Sequence, residues 1–352
     1  MFEYLNTLRD ELADYLENFF KTLEPDYAGV NSWGQGTLKR LLDYTRNGKM
    51  LRGCFIGFTH DMYGGQNHKA AVAAGAAMEL FQSAFLIHDD IMDRDELRRG
   101  KPAMHTQYAA LAKDARLHDP SHTGEALAIC AGDLAIFLAF DILARLEADA
   151  RIKSLLAARF CRELQYVGLA QMADVWQGLQ TDGVTEENIL ALYRCKTGRY
   201  TFSLPFAAGL ILAAQEEERI EHFVLLGEKM GILFQIKDDE LGLWADEKEL
   251  GKTIGSDISE TKKTLYREIL FARADEKTRK KLSVIFGAER LKQEDIAFVR
   301  EKMESLEVRA EVARKACLLY DEASALIDAL PPAGIWTDRL RQLLDYNMNR
   351  GK

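Results

Sequence analysis

Proline is scarce in this chain, 6 residues in 352, so long stretches contain nothing that forbids a helix. Cysteine is scarce too. The five, Cys54, Cys130, Cys161, Cys195 and Cys317, are odd in number, far apart and without a CxxC pair. That argues against a disulfide framework and a structural zinc site, and it fits a reducing, cytoplasmic setting. Positive charge is in the minority, 46 Lys and Arg against 55 Asp and Glu for a net −9. A general nucleic-acid binder needs a basic surface, so nucleic acid is excluded as a partner, whereas local Lys and Arg clusters can still serve an anionic substrate. The N-terminal MFEYLNTLRDELADYLENFF is acidic and helical in period, unlike a basic-then-apolar leader. The stretch nearest to a membrane span, Ala70 to Ile87, contains Glu79 and Gln82 and runs into His88-Asp89-Asp90; it is expected to be a core helix, not a span. Linkers, repeats and low-complexity segments are missing as well, which predicts a single domain over residues 1–352.

What the chain has is helical periodicity. Apolar residues recur every three or four positions and no alternating strand of useful length occurs, which predicts helices near 3–23, 36–46, 50–63, 68–92, 103–116, 123–148, 152–178, 185–199, 201–214, 218–243, 258–273, 289–303, 305–328 and 334–348. Breaks are expected at Pro25, Gly64-Gly65, Gly100-Lys101-Pro102, Asp119-Pro120, Gly251 to Gly255 and Pro331-Pro332. Segments 70–87, 126–140 and 202–214 are apolar almost all round. Such helices should be buried on every side, which predicts an all-α, large helical bundle with central helices wrapped by outer ones.

Two acidic clusters interrupt this apolar background. In FLIHDDIMDRDELRRGKPAMH, residues 85–105, Asp89 and Asp93 share a helix face with Asp90 beside them. Like charges at that spacing repel, and carboxylates ending a buried helix are costly unless compensated. A magnesium ion, which prefers oxygen ligands and often combines one or two carboxylates with substrate phosphates, resolves the conflict; a solvated helix end is the plain alternative. In FQIKDDELGLWADEKELGKTIGSDISETKKT, residues 234–264, Asp238-Asp239 again end an apolar helix, with Lys237, Lys252, Lys262 and Lys263 around them. Two such clusters flanked by cations describe a place where metal ions and protein cations hold a polyphosphate. A third patch, NGKMLRG at 47–53, offers Lys49 and Arg52 with a glycine before them, cations suited to a second anion without metal.

These patches, in this order, resemble the trans-isoprenyl diphosphate synthases, the family of farnesyl and geranylgeranyl diphosphate synthases, over roughly residues 45–265. HDDIMDRDELRRGKPAMH is similar to that family's first aspartate-rich motif. NGKMLRG is similar to its GKxxR element with Gly53 where proline is common, CAGDLAIFLAF (130–140) to its Gly-Asp helix, YRCKTGRYTFSLP (193–205) to its Lys-Thr element, and FQIKDDELG to its second aspartate motif with Gly242 in the last acidic place. Terpene cyclases share the first motif, but Gly242 and Asp246 do not fit their second one. The resemblance implies the isoprenoid synthase fold, with an apolar cavity between central helices, and a homodimer. It implies that Asp89, Asp93 and Asp238 hold three magnesium ions on an allylic diphosphate, supported by Asp90 and Asp239. Arg98, Lys196 and Lys252 would bind that diphosphate directly, while Lys49, Arg52, Gln82 and Arg99 would bind isopentenyl diphosphate. Thr197 and Gln235 would turn their oxygens toward the developing allylic cation. Phe85, Ala84 and Phe81, four, five and eight residues before Asp89, would set product length; alanine in place of one member of the usual aromatic pair implies twenty carbons, geranylgeranyl diphosphate, with fifteen or twenty-five as alternatives. A non-catalytic helical partner subunit is the alternative from another class. The helical, charged segment beyond about residue 275 lies outside the strong match, although Arg350 and Lys352 at the end of the sequence could close over isopentenyl diphosphate.

Overall fold

The structure, a computed structural model, describes residues 1–180, 184–244, 258, 261–288, 290–331 and 334–350. Among these every regular element is helical except one short hairpin, and the chain divides into two compact units: residues 1–160 with 205–220, and residues 161–204 with 221–352.

The first unit carries α1 (Phe2–Val30), α2 (Gly34–Arg46), α3 (Leu51–Met62), α4 (His68–Met92), α5 (Met104–Asp114), α6 (Pro120–Ala144) and the first residues of α7 (Ala150–Leu179). Helix α1 runs through Pro25, where a break was expected. Proline's own φ is helical, so the loss there is one bond to the Lys21 carbonyl, and Lys21 is exposed to water that replaces it. Helix α4 is the core: Asn67 caps it by accepting the Ala70 N–H at 3.1 Å, and Ala70 to Ala84 is buried except Val72. Small side chains let its neighbours close in. A Cβ on Gly53 of α3 would meet the Gly75 carbonyl oxygen of α4 at 2.7 Å and Leu12 Cδ1 at 2.8 Å, so only glycine fits this crossing.

Helix α6 corrects an expectation. Though apolar all round, it leaves Ile129 45% and Phe137 68% exposed. Periodicity reports that a face is apolar, not what covers it. By length and composition α4 and α6 could each cross a membrane, yet their most apolar windows are 83% and 44% buried within the fold. The hairpin, β1 (Leu97–Arg98) and β2 (Lys101–Pro102), was not anticipated. Arg99 and Gly100 at its tip both have left-handed φ, 53° and 73°, as a tight two-residue hairpin turn requires.

The second unit contains the remainder of α7, α8 (Glu186–Leu192), a π-helix (Tyr193–Ser203), most of α10 (Glu217–Trp244), α11 (Leu265–Arg273), α12 (Glu276–Ile285), α13 (Gln293–Ser305), α14 (Val308–Asp328) and α15 (Ile335–Asn349), while α9 (Leu204–Leu212) lies almost wholly in the first. Separate helices over 185–199 and 201–214 are the expectation; instead a π-helix joins α8 to α9. Within it Arg199 donates two 2.7 Å bonds to Glu163, which is 1% exposed, and one of 2.5 Å to Glu228. Burial works against this charge, but the bonds to Glu163 hold the guanidinium above its ordinary range. Helix α12 was also passed over, although Asp275 caps it by accepting the Thr278 N–H at 2.7 Å. The expected break at 251–255 lies outside the described residues.

Candidate active site

Asp89 and Asp90 occupy the last turn of α4 and Asp93 is its C-cap. The C-terminal end of a helix is its negative pole, so three carboxylates there add like charge to like potential. Their environments differ. Asp90 is fully buried; Tyr44 Oη donates to its Oδ2 at 2.9 Å and Arg98 Nε to its Oδ1 at 2.5 Å. Burial lifts the Asp90 carboxyl above its ordinary range against the pull of Arg98 and Tyr44, and burial likewise raises the Tyr44 hydroxyl. Asp89 is 20% exposed and lies 4.0 Å from Arg98 Nη2, and Asp93 is also partly exposed. Arg98 is further held by Asp95 at 3.2 Å. Hard oxygen donors, partly exposed at the negative end of a helix, suit a magnesium ion.

The second pair repeats this division. Asp238 is 59% exposed, whereas Asp239 is buried; Tyr193 Oη donates to its Oδ2 and Gln235 Nε2 to its Oδ1 at 2.9 Å. Thr197 Oγ1 in turn donates to Gln235 Oε1 at 2.8 Å. A chain of bonds thus fixes the amide orientation of Gln235 and brings Thr197, Gln235 and Asp239 together. Lys196 pairs with Asp174 at 2.6 Å. The π-helix that presents Lys196 and Thr197 packs against α10, where a Cβ on Gly231 would meet Gly198 Cα at 2.2 Å; π geometry recurs at functional sites. Arg350 donates to Asp238 Oδ1 at 2.8 Å and its guanidinium lies 3.6 Å from the centre of the Phe234 ring. The end of α15 therefore reaches the second aspartate pair. Lys252 and Lys352 lie outside the described residues.

Of the residues predicted for the second anion, the first unit brings Arg52 and Arg99 near one another around Glu79. A Cβ on Gly48 would meet Arg99 Nη1 at 2.5 Å, so the backbone just before Lys49 lies against the Arg99 guanidinium. Lys49 is exposed and Gln82 is buried. Sequence reasoning missed Glu79, whose Oε1 accepts the Gly53 N–H at 2.7 Å. Burial raises its carboxyl, opposed by that bond and by the charges of Arg52 and Arg99. A proline in place of Gly53 could not make the bond. Tyr44, Tyr193 and Asp174 were missed too. His88 Nε2 lies 3.2 Å from the Ile129 carbonyl oxygen; a carbonyl only accepts, so that nitrogen carries the proton and is no free base. Below Asp89, Ala84 and Phe81 are fully buried and Phe85 partly so, and Phe81 packs edge-on against Phe140 and tilted against Phe160, with centroids at 5.0 and 5.7 Å. A roomy cavity in the second unit, about 960 Å³ between Gly178, Lys263 and Phe286, is lined by none of these residues.

Comparison with known proteins is consistent with this picture. Residues 35–303 match the polyprenyl synthetase family. The chain is 32% identical over 322 residues to a geranylgeranyl diphosphate synthase of Saccharolobus solfataricus, covering 90% of this chain and 84% of that one. It is 33% identical over 259 residues to the enzyme of the same name from Sulfolobus acidocaldarius, 71% and 73% of the two chains. The crystal structure of geranylgeranyl pyrophosphate synthase from Corynebacterium glutamicum, complexed with isoprenyl diphosphate and magnesium, aligns with a TM-score of 0.90 at 26% identity over 99% of both chains.

Proposed function

The chain belongs to the polyprenyl synthetase family, and from that premise we propose that it is a magnesium-dependent trans-isoprenyl diphosphate synthase. It joins isopentenyl diphosphate to an allylic diphosphate and makes geranylgeranyl diphosphate. The carrying observation is the repeated aspartate pair, one carboxylate outward and its neighbour locked under a tyrosine. Asp89, Asp93 and Asp238 would hold three magnesium ions, with Asp90 and Asp239 supporting them. Magnesium, when bound, stabilises negative charge on the departing diphosphate.

Fixed cations contribute to the same end. Arg98 and Lys196 exchange part of their bonding with Asp90 and Asp174 for the diphosphate, joined by Lys252. As the allylic carbon–oxygen bond breaks, the electron pair leaves with the diphosphate. Thr197 and Gln235 direct oxygen lone pairs at the carbocation, and Gln235 is held for this by Asp239. Lys49, Arg52, Gln82 and Arg99 hold the homoallylic diphosphate, which must not ionise. Its double bond then forms the new carbon–carbon bond, and the proton lost goes to the released diphosphate.

Product length follows from Ala84 leaving a path that Phe81 closes, since Phe81 is backed by Phe140 and Phe160. The uncovered apolar face of α6, with Ile129 and Phe137, supports a homodimer. Residues 1–352 act as one catalytic domain, and the cysteine usage supports a cytoplasmic setting. The test is a product assay: purified protein, magnesium, labelled isopentenyl diphosphate and dimethylallyl, geranyl or farnesyl diphosphate, with chain length read by chromatography. A twenty-carbon product is expected. Fifteen or twenty-five carbons would keep the class and sink the length argument, and no condensation from folded protein would leave the chain as a non-catalytic partner subunit.

A further inference from the structure

At the far end of α4 from Asp89, a second group of ligating side chains gathers within the first unit, and the condensation chemistry uses none of them. His60 and Asp61 lie in the last turn of α3, and His68 opens α4. The ligating atoms of the three lie within 4.8 Å of one another. His60 Nδ1 is 3.0 Å from Asp61 Oδ1, and His68 Nδ1 is 3.6 Å from the same oxygen. Around a tetrahedral zinc ion with bonds of about 2.0–2.1 Å, neighbouring ligand atoms are about 3.3 Å apart. The two separations bracket that edge, so small side-chain rotations complete three corners of a tetrahedron.

The surroundings supply what such ligands need. Glu11 Oε2 lies 2.5 Å from His68 Nε2, the carboxylate–histidine pairing that orients a metal-bound imidazole and makes it more basic. Tyr4 Oη donates to the other oxygen of Asp61 at 2.6 Å, leaving Oδ1 for the ion. His60 is fully buried, and on its far side a Cβ at Gly65 would meet Nε2 at 2.3 Å; that wall fixes the ring with Nδ1 toward Asp61. The last turn of α3 is a negative helix pole, which favours a cation. His68 is 45% exposed, so the fourth corner is open to water.

We propose that His60, Asp61 and His68 form a binding site for a zinc-class divalent transition metal, held by Nδ1 of both histidines and Oδ1 of Asp61. It is built without cysteine, and its nitrogen donors separate it from the carboxylate-only aspartate pairs. The site clamps the end of α3 to the start of α4. A water-filled fourth corner would let it exchange ions, and His and carboxylate donors prefer zinc or cobalt to magnesium.

The test uses the full-length protein stripped of metal, with excess magnesium present to fill the carboxylate sites, and cobalt(II) as the probe. Cobalt in a tetrahedral site with nitrogen ligands absorbs strongly in the visible, whereas in an octahedral oxygen site it absorbs weakly. One equivalent should develop the strong band, zinc should displace it, and zinc should raise the melting temperature. His68→Ala, on the half-exposed ligand, should abolish the band, Asp61→Asn should do the same, and Glu11→Gln should weaken cobalt affinity roughly 10–100-fold. Condensation activity of His68→Ala should remain that of the parent, so failure here is distinct from failure of the synthase reading. No strong band in the parent protein, or an equal band in His68→Ala, would overturn the proposal and leave the cluster as ion pairs only.

Discussion

Replacing Tyr193 by phenylalanine removes one oxygen and should be among the more damaging subtractions in the second unit. The hydroxyl donates to the buried Asp239 carboxylate and accepts the Leu265 N–H at 3.3 Å, one of the unpaired amides opening α11. A hydrogen bond to a charged group contributes about 1.5–3 kcal/mol, and an orphaned buried amide adds about 1 kcal/mol. Asp239 would still hold Gln235, and the two terms together give an expected loss of about 2.5–4 kcal/mol. Tyr44→Phe is the internal control. It strips the same kind of bond from Asp90, but Arg98 remains at 2.5 Å, so its loss should be about 1–2 kcal/mol. Urea titration followed by circular dichroism ranks the two, and a fall in melting temperature of roughly 5 °C or more should accompany Tyr193→Phe. A loss below about 0.5 kcal/mol, or the reverse order, would refute the idea that each tyrosine carries its buried aspartate.

Three further outcomes follow from the same geometry. Burial raises the Glu79 carboxyl above 4.5, so the stability it contributes is full below that pH and is lost as pH rises through its folded value; Glu79→Gln, which keeps the acceptor for Gly53, should therefore gain on the parent protein in melting scans as pH rises from 4.5 to 7.5, and a constant difference would contradict this. Ala84→Phe should shorten the product to fifteen carbons, whereas Phe81→Ala should lengthen it at a cost of about 3–5 kcal/mol in stability; unchanged products would remove both residues from length control. Gly53→Pro, although it would restore the residue common in similar sequences, should destabilise by about 3 kcal/mol or more, because it deletes the N–H that Glu79 accepts and adds atoms 2.7 Å from the Gly75 carbonyl oxygen, measurable by the same urea titration.

Much of the site was legible because its chemistry contradicts its surroundings: acids at i and i+4 ending an apolar helix stand out in any reading of α4. Their anchors did not. Tyr44 and Tyr193 look like ordinary helix aromatics, and each meets its aspartate across 46 residues of chain, a pairing that only tertiary packing creates. Glu79 read as an interruption of an apolar run until the Gly53 amide was seen to need it. Helix α12 was hidden because EKTRKK gives it a charged front half, with only Leu282 and Ile285 buried. In α6 hydrophobicity was read correctly and its destination wrongly, since apolar residues belong equally in a core and under a neighbour.

The π-helix from Tyr193 to Ser203 also bears on which insertions and deletions this chain tolerates. Its bonds skip one more residue than those of an α-helix, so the stretch behaves as a regular helix into which extra chain has been spliced. Removing a single residue, for instance Gly198, would let the helix close its ordinary register, and local helical order would gain. Everything on one side of the cut would then turn by about 100° and shift by about 1.5 Å against the other. Lys196 and Thr197 on one flank, and the Arg199 clamp on the other, would no longer face their partners together. A length change that improves the helix would thus dismantle the site, which makes this segment the place where a shorter version of the protein should be the most regular and the least active.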